Sequence, residues 1–210
     1  MQDLTQKLKL YAVTDRQWLG KRTLENCVAE AIAGGVTMVQ LREKHLPQAE
    51  FIAEARVIKT VCAQAHVPFL INDDLDVAMA VDADGLHVGQ DDLDAATIRA
   101  QWGQEKLVGV SAQTVSEALA AQAAGADYLG VGAVFPTATK TDAVAVPLTT
   151  LAAITAAVTI PVVAIGGIHR DNLLQLRGTG VVGVALVSEL FAPTDIRHNA
   201  RQLAQLTAKL

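Results

Sequence analysis

The sequence predicts a (β/α)8 TIM barrel, and three observations carry that expectation. Eight short apolar runs alternate with eight helical stretches across 210 residues, and no long segment is left over. The runs are apolar at successive positions, as strands buried on both faces of a parallel sheet must be. A local pattern recurs where helices hand over to strands: Ala33-Gly34-Gly35-Val36, Ala124-Gly125-Ala126-Asp127 and Arg177-Gly178-Thr179-Gly180. A doubly wound open sheet is the alternative. It usually has fewer strands and a glycine-rich first turn, whereas Val13-Thr14-Asp15 follows the first strand here.

Leu10 to Thr14 makes the first strand. Leu24 to Ala33 is a helix stopped by Gly34-Gly35, as helices commonly stop. Met38 to Glu43 is the second strand. Pro47 then opens a helix to about Ala65, with its missing N–H in the first turn where the loss is small. Phe69 to Asn72 is strand three, Leu75 to Val81 a short helix, and Gly85 to Gly89 strand four. Asp94 fits the N-cap of a helix from Ala95 to about Trp102. Leu107 to Ser111 is strand five, and Thr114 or Ser116 starts a helix running to Ala124 and Gly125. Tyr128 to Val134 is strand six, broken at Phe135-Pro136. Leu148 to Val158 is a helix, Val162 to Ile165 strand seven, and Asp171 to Arg177 a helix. Val182 to Val187 is strand eight, and a last helix covers about His198 to Lys209.

Composition narrows the function classes. At 51% hydrophobic, residues 1–210 suffice for one sizeable core in a single domain. Aromatics make up only 4%, so Ala, Val, Leu and Ile must build that core. A formal charge of -5 and a pI near 5.5 argue against nucleic acid or an anionic membrane as partner. An anionic ligand therefore needs a local cluster of base. Cys27 and Cys62 lack metal-ligand spacing and read as reduced, buried thiols of a cytoplasmic protein. The first ten residues have no apolar secretory core, and Pro147, Pro161 and several threonines interrupt the apolar run from Ala143 to Gly167. Trp18 and Trp102 read as packing residues; His45, His66, His169 and His198 belong to no constellation.

In parallel barrels ligands bind beyond the carboxyl ends of the strands, so polar residues there should share one chemistry. Strand two ends Gln40-Leu41-Arg42-Glu43-Lys44. Alternation turns Gln40, Arg42 and Lys44 to the barrel axis and Val39, Leu41 and Glu43 to the helices. Burying an amide and two cations without partners would cost several kcal/mol each, so a polyanionic ligand is the simpler account than an internal ion pair. Asn72-Asp73-Asp74 and Gln90-Asp91-Asp92 follow strands three and four. Because Asp94 already fits the cap, Asp73 and Asp92 are candidates to hold a divalent cation, in the way Mg²⁺ takes one or two carboxylates and substrate phosphates. Ser111 ends strand five and can donate to a leaving-group oxygen or simply turn the chain. The loop after strand six carries Thr137, Ala138, Thr139, Lys140, Thr141 and Asp142, hydroxyls and a point charge suited to phosphate. Gly166-Gly167 and Val187-Ser188 end strands seven and eight, where barrels commonly form a phosphate site. Mid-strand His87 reads as a core histidine satisfied by a hydrogen bond, not as an acid or base.

Taken together, these residues resemble the thiamine-phosphate synthase (thiamine-phosphate pyrophosphorylase) family, from Tyr11-Ala-Val-Thr-Asp15 to Val187-Ser188. The carriers are Gln40-Leu-Arg-Glu-Lys44, Asn72-Asp73, His87-Val-Gly-Gln-Asp-Asp92, Gly109-Val-Ser111, Gly130 to Lys140, Ala164-Ile-Gly-Gly-Ile168 and Val187-Ser188. The resemblance implies a Mg²⁺-dependent transferase, with one ion per subunit. It would join hydroxymethylpyrimidine pyrophosphate to thiazole phosphate, releasing pyrophosphate. It implies that Gln40, Leu41, Arg42, Glu43, Lys44, Asn72, Ser111 and Lys140 hold the pyrimidine pyrophosphate, and Arg42, Lys44, Ser111 and Lys140 serve catalysis. It also implies Asp73 and Asp92 as metal ligands, and Thr137, Ala138, Thr139, Gly167, Val187 and Ser188 around the thiazole phosphate. Small molecules are the expected partners, and a homo-oligomer is compatible with the pattern. The chain departs from the family at Asp74, often arginine; at Gln113, often histidine; and at Ala133, often proline. Asp74 is expected to add negative charge near the pyrophosphate. Three other readings are a thiazole tautomerase, which wants a histidine near Gln113, a non-catalytic phosphate sensor, and a metal-free phosphosugar isomerase.

Overall fold

The computed structural model describes residues 4–137 and 145–210. Its strands are β1 (Leu10–Val13), β2 (Met38–Leu41), β3 (Phe69–Asn72), β4 (Gly85–Val88), β5 (Leu107–Ala112), β6 (Tyr128–Val131), β7 (Val162–Ile165) and β8 (Gly183–Leu186). Each pairs in parallel with its sequence neighbours, and β8 returns to β1, so the sheet closes into a barrel. The α/β alternation of the sequence is thus a (β/α)8 barrel. The helices are α1 (Leu4–Lys7), α2 (Leu24–Gly34), α3 (Gln48–Gln64), α4 (Leu75–Ala80), α5 (Ala95–Trp102), α6 (Val115–Ala123), α7 (Leu148–Ala157), α8 (Ser188–Phe191) and α9 (Ile196–Thr207).

Strand alternation divides the core in two. Ala12, Val39, Leu41, Ile71, Leu86, Val108 and Leu129 face the helices and bury the apolar stripes of α2, α3 and α9. Tyr11, Val13, Met38, Leu70, Tyr128, Val163 and Ala185 fill the barrel itself, with Leu8 beneath them and Leu4 of α1 packed alongside. Most helices start on a side-chain cap. Thr23, Asp74, Asp94, Thr114 and Asp195 accept from the backbone N–H groups of Asn26, Val77, Thr97, Glu117 and His198. Each such cap is worth about 1 kcal/mol.

At the amino end of the barrel, the nearly buried Arg99 on α5 reaches the carbonyls of Gly125 and Lys106 and pairs with Asp127 at 2.5 Å. Asp127 also accepts from Val108 N, at 2.7 Å, so one guanidinium ties α5 to the starts of β5 and β6.

Several boundaries differ from the sequence reading. β6 ends at Val131, although Val134 N still donates to Ile165 O beside β7. The helix expected over Asp171 to Arg177 is a short 3-10 turn, Leu173–Leu176. Asn172 there gives its side chain to His169 N and Gly167 O instead of capping a full helix. The last helix starts at Ile196, earlier than expected, because Asp195 caps it. The short α8 after β8 was not anticipated. The Asp74 carboxylate accepts from Val77 N at 2.9 Å and caps α4, and the residue lines the cleft beside Asn72 and Asp73.

Candidate active site

Register brings the ends of the strands that carry the described predicted residues to one mouth. Val13 lies opposite Gln40, Asn72 opposite His87, and Ser111 opposite Gly130. The loops that follow these strands open on the same end. Arg42 N donates to Thr14 Oγ1 at 3.0 Å, which pins the end of β2 to the end of β1. The Arg42 guanidinium stands 3.9 Å from Asp15 and is otherwise open to the mouth. Leu41 turns the other way, as alternation requires, and Glu43 follows in the loop beyond β2. Leu41 is fully buried against the helices, and Glu43 pairs with Arg16 at 2.9 Å. Arg16 also pairs with Glu54 of α3.

Lys44, Asp73 and Asp92 come together. Lys44 Nζ lies 2.5 Å from Asp73 Oδ2. Asp73 sits at φ 63, a left-handed backbone uncommon for a residue other than glycine. Its N–H is given to His87 O, fixing it between β3 and β4. Asp92 Oδ2 accepts from Gly89 N at 2.7 Å, closing the loop after β4 on itself. Partial burial raises the Asp92 carboxyl above its ordinary range, and the hydrogen-bonded carboxylate of Asp73 pushes it further the same way. Two neighbouring acids repel when both are ionised, and Lys44 beside Asp73 offsets part of that repulsion. Among the described residues, no cluster of three or more His, Cys, Asp or Glu has metal-binding geometry. Beside the pair, an open cleft of about 510 Å³ runs outward past Lys44, Asn72, Asp73, Leu46, Phe51 and Leu93.

Deeper in the barrel lies a polar chain. Gln40 Nε2 donates to the Tyr11 hydroxyl at 2.6 Å, and the Tyr11 and Tyr128 hydroxyls are 2.8 Å apart. Tyr128 Oη is 3.0 Å from His87 Nδ1, and His87 Nε2 is 3.0 Å from Ser111 Oγ. The reading of His87 as a satisfied core histidine holds. Burial pushes its pKa down to about 4, against the pull of Asp92, so the ring is neutral at pH 7. Gln90 Nε2 donates to Ser111 O, locking the loop after β4 to the end of β5.

On the far side, Gly166 and Gly167 have φ of 92 and 65. A Cβ at Gly167 would lie 2.3 Å from Pro136 O and 2.5 Å from Phe135 O, so the loop after β6 rests on bare backbone here. Val187 precedes α8, and Ser188 opens it. The next residue, Glu189, accepts from Arg170 N and pairs with His169 at 3.0 Å, tying the loops after β7 and β8 together. Asn199 donates to Glu189 O and accepts from Arg170, completing the brace. The sequence reading missed Glu189, Asn172 and the Tyr11–Tyr128 pair, because only the folded register makes them neighbours. Thr137 lies at the edge of the described loop. Ala138, Thr139 and Lys140 fall outside the described residues.

No helix of the described residues is long and apolar enough to cross a membrane. Cys27 and Cys62 are buried free thiols, and burial pushes Cys62 up to about 12.

The family model described as thiamine monophosphate synthase matches residues 10–190. The chain is 50% identical over 197 residues to the thiamine-phosphate synthase of Ruminiclostridium cellulolyticum, covering 94% of each chain. It is 46% identical over 207 residues to that of Enterococcus faecalis, covering 99% of this chain and 98% of the relative. The solved thiamine phosphate pyrophosphorylase of Pyrococcus furiosus superposes with a TM-score of 0.91 at 37% identity, covering 99% of this chain and 98% of that one. The chain therefore belongs to the thiamine monophosphate synthase family, transferases of thiamine biosynthesis.

Proposed function

We propose that this chain transfers the hydroxymethylpyrimidine group from its pyrophosphate to the ring nitrogen of thiazole phosphate, with Mg²⁺ held by Asp73 and Asp92. The observation that carries this reading is the cluster at the mouth, where Lys44 pairs with Asp73 and Asp92 lies close enough to feel both charges. Hard carboxylate oxygens in adjacent positions suit Mg²⁺, which completes its shell with water and substrate phosphates. Bound there, the ion would neutralise charge building on the departing pyrophosphate.

The pyrimidine CH₂–O bond breaks, and its electron pair leaves with the pyrophosphate. The electron-rich pyrimidine stabilises the resulting carbocation-like centre, and the thiazole nitrogen lone pair forms the new C–N bond. No proton has to move at the reacting carbon, so a strong base is not required. What the protein must supply is charge, position and dryness. Arg42 and Lys44 offer the charge from the loop after β2, and Ser111 offers a hydroxyl from β5. Asn72 opposes His87 across β3 and β4 and offers an amide for the pyrimidine. The backbone of Gly167, with Val187 and Ser188, suits the thiazole phosphate, and the loop carrying Thr137, Ala138, Thr139 and Lys140 would close over both substrates. The enzyme acts on small molecules in this reading, and a cytoplasmic setting accords with its free thiols.

The test is reconstitution with both substrates and Mg²⁺, measuring thiamine phosphate and pyrophosphate together. Equimolar products that vanish on chelation support the proposal; product formation undiminished by chelation overturns the metal's part in it.

A further inference from the structure

The chain of hydrogen bonds through the barrel has a direction, and direction matters at its open end. Gln40 presents its amide Nε2 to Tyr11, so it gives a proton and takes none. Tyr11, having accepted, has one proton to pass on, and the Tyr128 hydroxyl is its neighbour at 2.8 Å. Tyr128 then gives its own proton to His87 Nδ1. A neutral His87 whose Nδ1 accepts carries its proton on Nε2, and that proton points at Ser111 Oγ, 3.0 Å away. Ser111 Oγ is thereby an acceptor towards the barrel. Among the described residues it has no hydrogen-bond partner besides His87, so its own proton is left for the mouth.

The backbone makes room for this chain. Tyr11 and Tyr128 are essentially unexposed, and the path from Tyr128 to His87 passes directly over Gly109 of β5. A Cβ there would lie 2.1 Å from Tyr128 Cζ and 2.5 Å from His87 Nδ1. Gly130 of β6 likewise leaves space, its Cβ position being 3.1 Å from His87 Cε1. Two buried tyrosines in a chain so poor in aromatics join through their hydroxyls where apolar residues would have filled the barrel.

We propose that Tyr128 and His87, oriented by Tyr11 and Gln40, are positioning residues that hold His87 as its Nε2–H tautomer and turn the Ser111 hydroxyl proton out towards the leaving pyrophosphate. This rests on the reading of Ser111 as a donor to that group. In the opposite polarity the Ser111 proton would be spent on His87 Nε2, and the serine would meet the pyrophosphate with lone pairs only. A correctly aimed donor at a developing oxyanion is worth about 10²–10³ in rate when removed outright.

The experiment reads tautomer and turnover separately. In the ¹⁵N-labelled protein, long-range ¹H–¹⁵N spectra of His87 are expected to show a protonated Nε2 and a bare Nδ1; a protonated Nδ1 overturns the proposal whatever the kinetics. Tyr128→Phe removes the donor to Nδ1, and is expected to shift His87 towards the Nδ1–H form. Its single-turnover rate is expected to fall about tenfold while KM for both substrates stays within about twofold. Ser111→Ala is expected to lose about a hundredfold, and adding Tyr128→Phe to it should cost nothing more. A further tenfold loss in the double variant overturns the coupling to Ser111. Wild-type turnover in Ser111→Ala sinks the donor reading of Ser111 and, with it, the catalytic part of the proposal, while the His87 spectrum still judges the tautomer alone. Tyr11→Phe/Tyr128→Phe strands no buried hydroxyl proton and guards against loss of fold; the same spectral shift is expected from it, and an unchanged Nε2–H signal contradicts the relay.

Discussion

Replacing Asp92 by asparagine should stabilise the metal-free protein while destroying its activity. Asp92 lies in the field of Asp73, which already holds Lys44 at 2.5 Å. Two unit charges at about 4 Å and an effective dielectric of about 20 repel by about 4 kcal/mol. Lys44 offsets part of that, and the exposure of Asp92 screens much of the rest, leaving a net gain of about 1 kcal/mol on removing the charge. Asparagine can keep the bond from Gly89 N with its carbonyl oxygen, so the loop after β4 should hold its shape. For a chain of this size the gain corresponds to a Tm rise of about 2–4 °C, read by calorimetry in EDTA. The sign with pH follows from the direction of the shift. Asp92 is held above the usual carboxylate range, by burial first and Asp73 next. The folded state therefore binds the proton more tightly, and this group's contribution is lost as pH rises through the raised pKa. The wild type should accordingly gain stability on acidification towards that pKa, and the variant should lack that gain. With Mg²⁺ and pyrophosphate present the order should reverse, because a ligand at 100 times its Kd adds about 2.7 kcal/mol to the wild type alone. Turnover should drop by at least about a hundredfold. A variant that melts lower than wild type in EDTA, or gains as much from Mg²⁺, would refute this reasoning.

Gly167→Ala places a methyl group 2.3 Å from Pro136 O at a left-handed φ of 65, so the loops after β6 and β7 must part. KM for thiazole phosphate should rise at least about tenfold, with KM for the pyrimidine substrate little changed in steady-state assays. Arg99→Ala strands Asp127 and two carbonyls at the opposite end of the barrel and should cost about 3–5 kcal/mol by denaturant titration. Asp74→Ala removes the α4 cap and should cost about 1 kcal/mol, whereas Asp74→Asn should cost almost nothing.

The barrel was legible because parallel strands buried on both faces must be apolar at every position, and seven of the eight loops at the mouth begin within a residue or two of where that rule breaks. Gln40 was legible as facing the barrel for the same reason, but β2 ends at Leu41, so Arg42, Glu43 and Lys44 lie beyond the reach of strand alternation, and Glu43 meets Arg16 there. What alternation cannot tell is which residues meet across the barrel. Tyr11 and Tyr128 are 117 positions apart, and their contact depends on the register of every strand between them. The capping role of Asp74 was not legible, because a carboxylate after a strand can neutralise, repel or cap, and the position of Val77 N shows the cap. The 3-10 turn Leu173–Leu176 escaped prediction because Asn172 gives its amide to the Gly167 loop, a choice local propensity does not reveal.

The central claim is that Asp73 and Asp92 jointly hold the cation that meets the pyrophosphate. A crystal grown with Mn²⁺ and pyrophosphate, measured at the manganese edge, tests it most directly. The account predicts one anomalous peak bonded to carboxylate oxygens of both Asp73 and Asp92, with pyrophosphate oxygens on its open side and Lys44 turned from Asp73 towards them. A peak held instead by Asp74, Asp76 or Glu43 in the outer cleft, with Asp73 still paired to Lys44 and Asp92 to Gly89 N, would contradict it.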